Sequence, residues 1–383
     1  MSLTPRIVSD ISAISARDWE ALDHEDNPFL SLAFLRALES SGCVSAATGW
    51  QPNHLCLYQG ERLVAAAPTY LKSHSHGEFV FDWAWAEAFE RHGRNYYPKL
   101  LTAVPYSPVS GPRLLVSRAH SQPESLRRQL VALAMEQCEE LELSSWHCNF
   151  NRPGDAPALK HPELLERVGW QFHWFNPGYE SFEQFLGQLR SKKRKNMRRD
   201  RRLVSEAGIR FVRKSGAELS ETELDFVYRC YRATFREHGN HPALNKRFFQ
   251  QLIADLPRGV LAILALRDEL PVAMSLYLMG GERLYGRYWG CTEEIPGLHF
   301  ETAYHQGIEF CIQHGLKVFE PGAQGEHKIS RGFVPVQTTS YHQVRDQAFR
   351  QAIARFLERE RDWLNQYRLQ LAEHEPYRSD CPR

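Results

Sequence analysis

The chain has no apolar run that could cross a membrane as a helix: its longest uninterrupted stretch, Val260 to Leu266, falls far short of the roughly 20 residues a bilayer needs. Arg6, Asp10, Arg17 and Asp18 stand where a secretory leader would place an apolar core, so the protein is read as cytoplasmic. Cysteine is present without a pattern. The eight thiols, at positions 43, 56, 138, 148, 230, 291, 311 and 381, form no CxxC pair. That argues for reduced, mostly buried side chains and against a disulfide framework or a zinc cluster. An HExxH motif is also missing. His299, Glu301 and His305 open a helix, but the helix dipole already accounts for an acid in a first turn, and no metal is expected there. Net charge is close to absent, at +1 from 47 cations and 46 anions.

The near-zero balance conceals one concentration of charge. From Ser191 to Arg202 the sequence carries eight cations against the single carboxylate of Asp200. Phe182, Phe185, Leu186, Leu189, Met197 and Val204 fall at helical spacing around this block, which predicts one amphipathic helix over 182–207 ended by Gly208. So many like charges repel one another unless an anion offsets them. Such a helix suits a phosphate backbone, a pyrophosphate or an anionic membrane surface.

At 383 residues the chain exceeds what one core usually supports, and it contains an internal echo. Pro28, Leu30, Phe34, Leu35 and Leu38 recur in spacing as Pro242, Leu244, Phe248, Phe249 and Leu252. A hairpin-like stretch at 55–67 resembles another at 261–275, and each half later runs from a helix into a strand (124–143 into 145–150, 300–315 into 317–320). Two copies of one α/β unit explain this, with domains at 1–171 and 172–383. The apolar stripe Phe349, Ile353, Phe356, Leu364, Tyr367 and Leu371 reads as a long packing helix.

The loop 320–335 is the richest in chemistry. Glu320, Glu326, His327, Lys328 and Arg331 lie among three glycines and two prolines, offering bases, a tunable imidazole and two cations for a developing negative charge. Glu320, Glu326 and His327 are each candidates for the base; Lys328 and Arg331 are candidates to bind an oxyanion, a carboxylate or a phosphate. The alternative is a surface loop stapled by Glu326 and Arg331. Arg287, Tyr288 and Trp289 end a strand where they stack on a substrate or pack in a core. In the first half Tyr96, Lys99, Tyr106 and Arg113 fall in a proline-rich stretch that would make a rigid acceptor groove, with His147 pointing into it from a following strand.

Three segments resemble the FemAB-like N-acyltransferases: Leu189 to Arg199, Tyr285 to Gly290 running on to Leu298–Glu301, and Glu320 to Ile329. Tyr96 to Leu100 and Gly111 to Arg113 extend the resemblance over nearly the whole chain. It implies an α/β (α+β) fold of two tandem GNAT-like domains, each a mixed, mostly antiparallel sheet flanked by helices, and an acyl or aminoacyl transfer to an amine, as in peptidoglycan metabolism. The partners it implies are a small-molecule or peptide amine acceptor and, as co-substrate rather than bound cofactor, aminoacyl-tRNA or an acyl-CoA. One departure bears on the donor. GNAT enzymes hold the pyrophosphate of acetyl-CoA on a glycine-rich loop at a helix start; here that loop reads Cys291 to Leu298, and Glu293 and Glu294 would repel phosphate. Donor phosphates suit Lys192, Lys193, Arg194, Lys195, Arg198 and Arg199 better. The competing reading is a non-catalytic RNA-binding or membrane-surface-binding protein on a degenerate scaffold of the same fold.

Overall fold

The computed structural model describes residues 3–237, 239–323, 325–373 and 375–378. Two compact units are present, one formed by 1–169 with 337–367 and the other by 170–336 with 368–383. In the first unit, strands β1 (Leu3–Val8), β2 (Trp50–Pro52), β3 (His54–Gln59), β4 (Arg62–Ala67), β5 (Thr69–Lys72), β6 (Lys99–Thr102), β7 (Leu115–Val116) and β8 (Ser145–Cys148) alternate with helices α1 (Ala16–Glu20), α2 (Leu32–Ser40), α3 (Trp83–Arg91), α4 (Pro123–Glu140) and α5 (Ala156–Leu159). Strand β9 (Leu164–Phe175) carries the chain into the second unit.

There α6 (Phe182–Gln188), α7 (Ser191–Glu206), β10 (Arg210–Ser215), α8 (Glu221–Glu237), α9 (Lys246–Asp255), β11 (Val260–Arg267), β12 (Leu270–Gly280) and β13 (Arg283–Cys291) follow. Next comes a helix that runs through α10 (Leu298–Phe300), a π-helical stretch (Glu301–His305) and α11 (Gln306–Gln313), then β14 (Val318–Glu320). The chain returns to the first unit in β15 (Val334–Val344) and α12 (Gln347–Glu373).

The first unit stacks a sheet ordered β1-β3-β4-β7 and strands ordered β15-β8-β6-β5-β2; the second orders β10-β11-β12-β13-β14-β9. Most pairings are antiparallel. Among the described strands β6 pairs with β8 and β13 with β14 in parallel, each across a connection that contains a helix. These strand–helix–strand units, and the hairpins β3–β4 and β11–β12, are the repeated elements anticipated in the sequence. The segment 337–367 lies with the first unit, unlike the sequence division, because β15 pairs with β8 from Tyr341↔Cys148 to Val344↔Ser145, while Ile353 and Leu357 pack on Trp85, Phe89 and Tyr96.

The amphipathic helix expected over 182–207 is broken in two. Leu189 is buried and extended, bridged to Tyr377, and Arg190 donates its N–H to the Pro376 carbonyl at 2.9 Å. That tertiary pairing overrides the helical periodicity. Among the described residues no helix is long and apolar enough to cross a membrane, and the seven described cysteines are free thiols, all buried except the half-buried Cys291.

The packing of β13 on α8 leaves no room for a side chain at Gly290, where a Cβ would lie 2.8 Å from the Cys230 carbonyl oxygen. Gly290→Ala is expected to lower stability by about 1–3 kcal/mol, read from urea midpoints. Gly187→Ala, in α6 where a Cβ meets nothing within 4 Å, should be neutral or raise stability by up to about 1 kcal/mol.

Candidate functional site

Strands β13 and β14 pair for only three residues, Arg283↔Val318 to Tyr285↔Glu320, and β13 then runs on to Cys291 paired with β12 on its other side. An open cleft of about 360 Å³ lies at that end of β13, lined by Trp289, Cys291, Glu293, Glu294, Leu298 and His299 among others. Beyond β14 the chain folds into a 3-10 helix, Glu326–Arg331, bracketed by Gly325 and Gly332 at φ 109° and 92°, backbone angles that side chains rarely adopt. The tight turn sets three functional side chains in different directions.

Lys328 points inward. It is 2% exposed, and its Nζ donates to the Gly322 carbonyl at 2.8 Å with the Ala323 carbonyl at 3.4 Å. No carboxylate pairs with it among the described residues, and burial pushes its ammonium down to about 8. Arg331 lies flat on the Phe300 ring, its carbon centre 3.3 Å from the ring centroid; it donates to the His327 carbonyl at 2.9 Å and faces Asp200 of α7 at 3.5 Å. His327 is exposed, with Nε2 3.0 Å from the Tyr304 hydroxyl. Burial, then the charges of Lys328 and Arg331, hold its imidazole below the ordinary value. It is therefore neutral at physiological pH and able to take a proton. Tyr304 is pushed up to about 12 by burial and stays protonated.

The same positive field reaches further. His299, whose ring lies 4.5 Å from Trp289, is pushed down to about 4 by burial and by His327, Arg331 and Lys328. Lys193 of α7 is lowered by burial and by Lys192, Arg190 and Arg331. Lys193, Lys328 and Arg331 thus bring cationic charge beside the neutral rings of His299 and His327, with Asp200 facing Arg331, an arrangement that favours an anion or a developing oxyanion.

The other anticipated residues divide. Glu326 is exposed beside His327. Glu320 is buried at the end of β14, where Oε1 accepts from Arg283 at 2.7 Å, and its neighbour His173, 3.8 Å away, is driven down to about 3 by burial and by Arg283 and Lys328. Trp289 lines the cleft, whereas Tyr288 packs on Tyr231 of α8 at 4.7 Å and Arg287 lies over the Tyr288 ring at 5.4 Å. On α7, Lys192, Lys195 and Arg199 are exposed and make no ion pair among the described residues; Arg198 pairs with Glu183 at 2.5 Å and Arg194 donates to the Leu189 carbonyl. Arg201 reaches back to Glu301 and Glu309, tying α7 to the helix over 298–313.

In the first unit Lys99 and His147 are brought into one buried cluster through Tyr96 and Asp82. Arg113 is fully buried and donates to the carbonyls of Asn149, Pro112 and Val109; Tyr106 donates to the Cys43 carbonyl at 2.9 Å and packs on Trp50. Both brace loops rather than line an open groove.

A family model described as peptidoglycan biosynthesis/recognition matches residues 10–379. The chain belongs to the FemAB-like family. Among solved structures it is similar to FemX, with 10% identity, a TM-score of 0.56, and 92% of this chain and 100% of that one covered. It is also similar to a C-terminal domain assigned to a lysylphosphatidylglycerol synthetase from Agrobacterium fabrum, with 10% identity, a TM-score of 0.52, and 87% and 91% covered. A tandem GNAT protein of the clavulanic acid pathway matches at 11% identity and a TM-score of 0.45, with 89% and 98% covered. These likenesses are of fold. No curated protein matches.

Tyr304, Asp200, Phe300 and His173 meet the candidate residues in the structure, and the sequence did not single them out. Asp200 had a signal: it is the lone acid of the basic block and stands three residues from Met197 and four from Val204, on the apolar face of α7.

The folded pKa of Lys328, about 8, lies below the ordinary 10.5, so between those pH values the unfolded chain binds more protons and stability rises with pH. Lys328→Met removes that titration. Wild type should gain on the variant by on the order of 2 kcal/mol as pH is raised across this window, read from urea unfolding; a constant difference would count against a buried ammonium.

Proposed function

We propose that the chain transfers an acyl or aminoacyl group from a phosphate-bearing ester donor, aminoacyl-tRNA in the first instance, to the amine of a small-molecule or peptide acceptor in cell-envelope metabolism. The observation that carries this reading is the placement of two cations, Lys328 and Arg331, beside the neutral imidazole of His327 next to a cleft that His299 lines. Such a site stabilises the oxyanion of a tetrahedral intermediate and the phosphates of a donor. Family membership supports the envelope context.

In amide formation the acceptor nitrogen bonds to the donor carbonyl carbon, the carbon–oxygen ester bond breaks, and a nitrogen-bound proton passes to the leaving oxygen. His327, neutral and exposed, is the base and then the acid, held by the Tyr304 hydroxyl. Lys328, charged at neutral pH yet partnered only by carbonyls, is the cation nearest the oxyanion in this reading. Arg331 binds a donor phosphate or an acceptor carboxylate. Glu320, engaged by Arg283, serves the strand end, and Glu326 is left without the base role.

Lys192, Lys195 and Arg199 recur at i, i+3 and i+7, a cationic stripe along one exposed face of α7 that suits a phosphate backbone. Glu293 and Glu294 in the cleft weigh against an acetyl-CoA pyrophosphate there. A non-catalytic RNA-binding role would use the same stripe, so binding and turnover have to be read together.

Changing Lys192, Lys195 and Arg199 to Gln should flatten the log–log salt dependence of tRNA binding by about 2. His327→Ala should cost about 10²–10⁴ in kcat/KM, with Glu326→Gln near wild type. tRNA binding by a wild-type protein that transfers no acyl group to a pool of peptide amines would favour the non-catalytic role instead.

A further inference from the structure

The helix over 298–313 is α-helical at both ends and π-helical between them, over Glu301–His305. Gln306 donates its N–H to the Glu301 carbonyl, five residues back, where an α-helix would pair it with Thr302. A buried carbonyl deprived of its helical N–H needs another donor. Thr302 is 0% exposed, and its carbonyl accepts from the Tyr277 hydroxyl of β12 at 2.7 Å, with the Ala303 carbonyl at 3.2 Å. Tyr277 is itself buried, and burial pushes its phenol upward, so it stays protonated and able to donate. Thr302 Oγ1 adds a second bond, to the Leu298 carbonyl at 2.7 Å, of the kind that bends helices. Gly307 lets the helix lie close enough for this contact: a Cβ there would come 2.8 Å from the Phe319 ring and 3.3 Å from the Tyr277 ring.

The π-helical residues are the ones that meet the candidate site. Tyr304 reaches His327 Nε2 at 3.0 Å and packs on Phe333 at 5.6 Å. Glu301 lies 2.8 Å from His305 Nδ1, accepts from the Gln306 side chain at 2.8 Å and faces Arg201 of α7 at 3.2 Å. An α-helical register over the same residues would turn one end of the helix against the other by about the 100° that one residue contributes. Leu298 and Ile308 are both buried, so the ends are not free to turn. The misfit would fall on the residues between them, Tyr304 included.

We propose that Tyr277 is a positioning residue for His327: its hydroxyl replaces the N–H that the Thr302 carbonyl lacks, holds the π-helical turn, and so keeps the Tyr304 hydroxyl on His327. The proposal rests on the reading of His327 as the base, and adds a residue that acts on it only through the helix.

The test reads the imidazole rather than turnover, so the two readings fail separately. Nitrogen-15 NMR of histidine-labelled full-length protein follows the titration and tautomer balance of His327, which faces Lys328 and Arg331 of its own turn and His299 and Tyr304 of the helix. Tyr304→Phe removes the hydrogen bond directly. Tyr277→Phe should shift the His327 midpoint and tautomer balance in the same direction by a comparable amount, and the double variant should add nothing beyond Tyr304→Phe. Tyr231→Phe, which removes another buried hydroxyl of this unit, bonded to the Leu244 N–H at 3.0 Å, should leave both unchanged. A wild-type His327 titration in Tyr277→Phe, shifts that simply add in the double variant, or an equal shift in Tyr231→Phe would overturn the proposal. Should Tyr277→Phe fail to fold, Thr302→Val, which removes the bond to the Leu298 carbonyl, carries the same expectations. A wild-type protein that forms no amide would remove the transfer reading and leave the titration result standing.

Discussion

The brief parallel pairing of β13 with β14 is the constraint on which the second unit's chemistry depends. Three residues of pairing anchor the strands, and their divergence leaves an unpaired edge that backbone groups alone do not fill. The chain answers with the cleft on one side and the 3-10 turn of Glu326–Arg331 on the other. In the first unit the corresponding pair, β6 with β8, is followed by a further parallel bridge, Gly111↔Asn151, and the buried Arg113 guanidinium ties the adjoining carbonyls together. One topology thus yields an open strand end in one unit and a sealed one in the other.

Charge follows the same division. The second unit gathers cations with too few anions: Asp200 alone faces Arg331, while Lys328 has only carbonyls. The first unit sets two carboxylates, Glu78 and Asp82, around the buried cation of Lys99. Lys328 spends folding stability, since a buried charge without full compensation costs several kcal/mol, and such costs are tolerated at sites that bind or react. The basic helix α7 joins structure and site. Arg201 and Asp200 fasten it to the helix over 298–313 and to Arg331, leaving Lys192, Lys195 and Arg199 outward.

Much of this was legible in the sequence where the signal is local. Hydrophobic period and turn residues placed the hairpins, and the glycines and prolines around Glu326, His327, Lys328 and Arg331 marked the loop. What was not legible depended on distant partners. The break at Leu189 comes from Tyr377, far along the chain, and Tyr304 meets His327 only because the helix over 298–313 lies under the loop. Lys328 lies in a polar loop, yet it is buried, with its ammonium folded back onto the Gly322 carbonyl. In the first unit Lys99 and His147 were suspected, but Glu78, Asp82 and His342 were not, though a shared pattern existed: Ser145-x-His147 on β8 and Ser340-x-His342 on β15 place two histidines face to face, with Nδ1 atoms 2.6 Å apart.

The central claim is that the second unit's cation cluster receives the reacting carbonyl of a phosphate-bearing donor. Its most direct test is a crystal structure with a stable amide analogue of an aminoacylated adenosine 5′-phosphate. The account predicts the phosphate on the Lys192–Lys195–Arg199 face of α7 or at Arg331, and the acyl oxygen within about 3 Å of a donor from the His327–Lys328 turn. Phosphate bound on the backbone of 293–298, with the acyl group directed away from that turn, would contradict it.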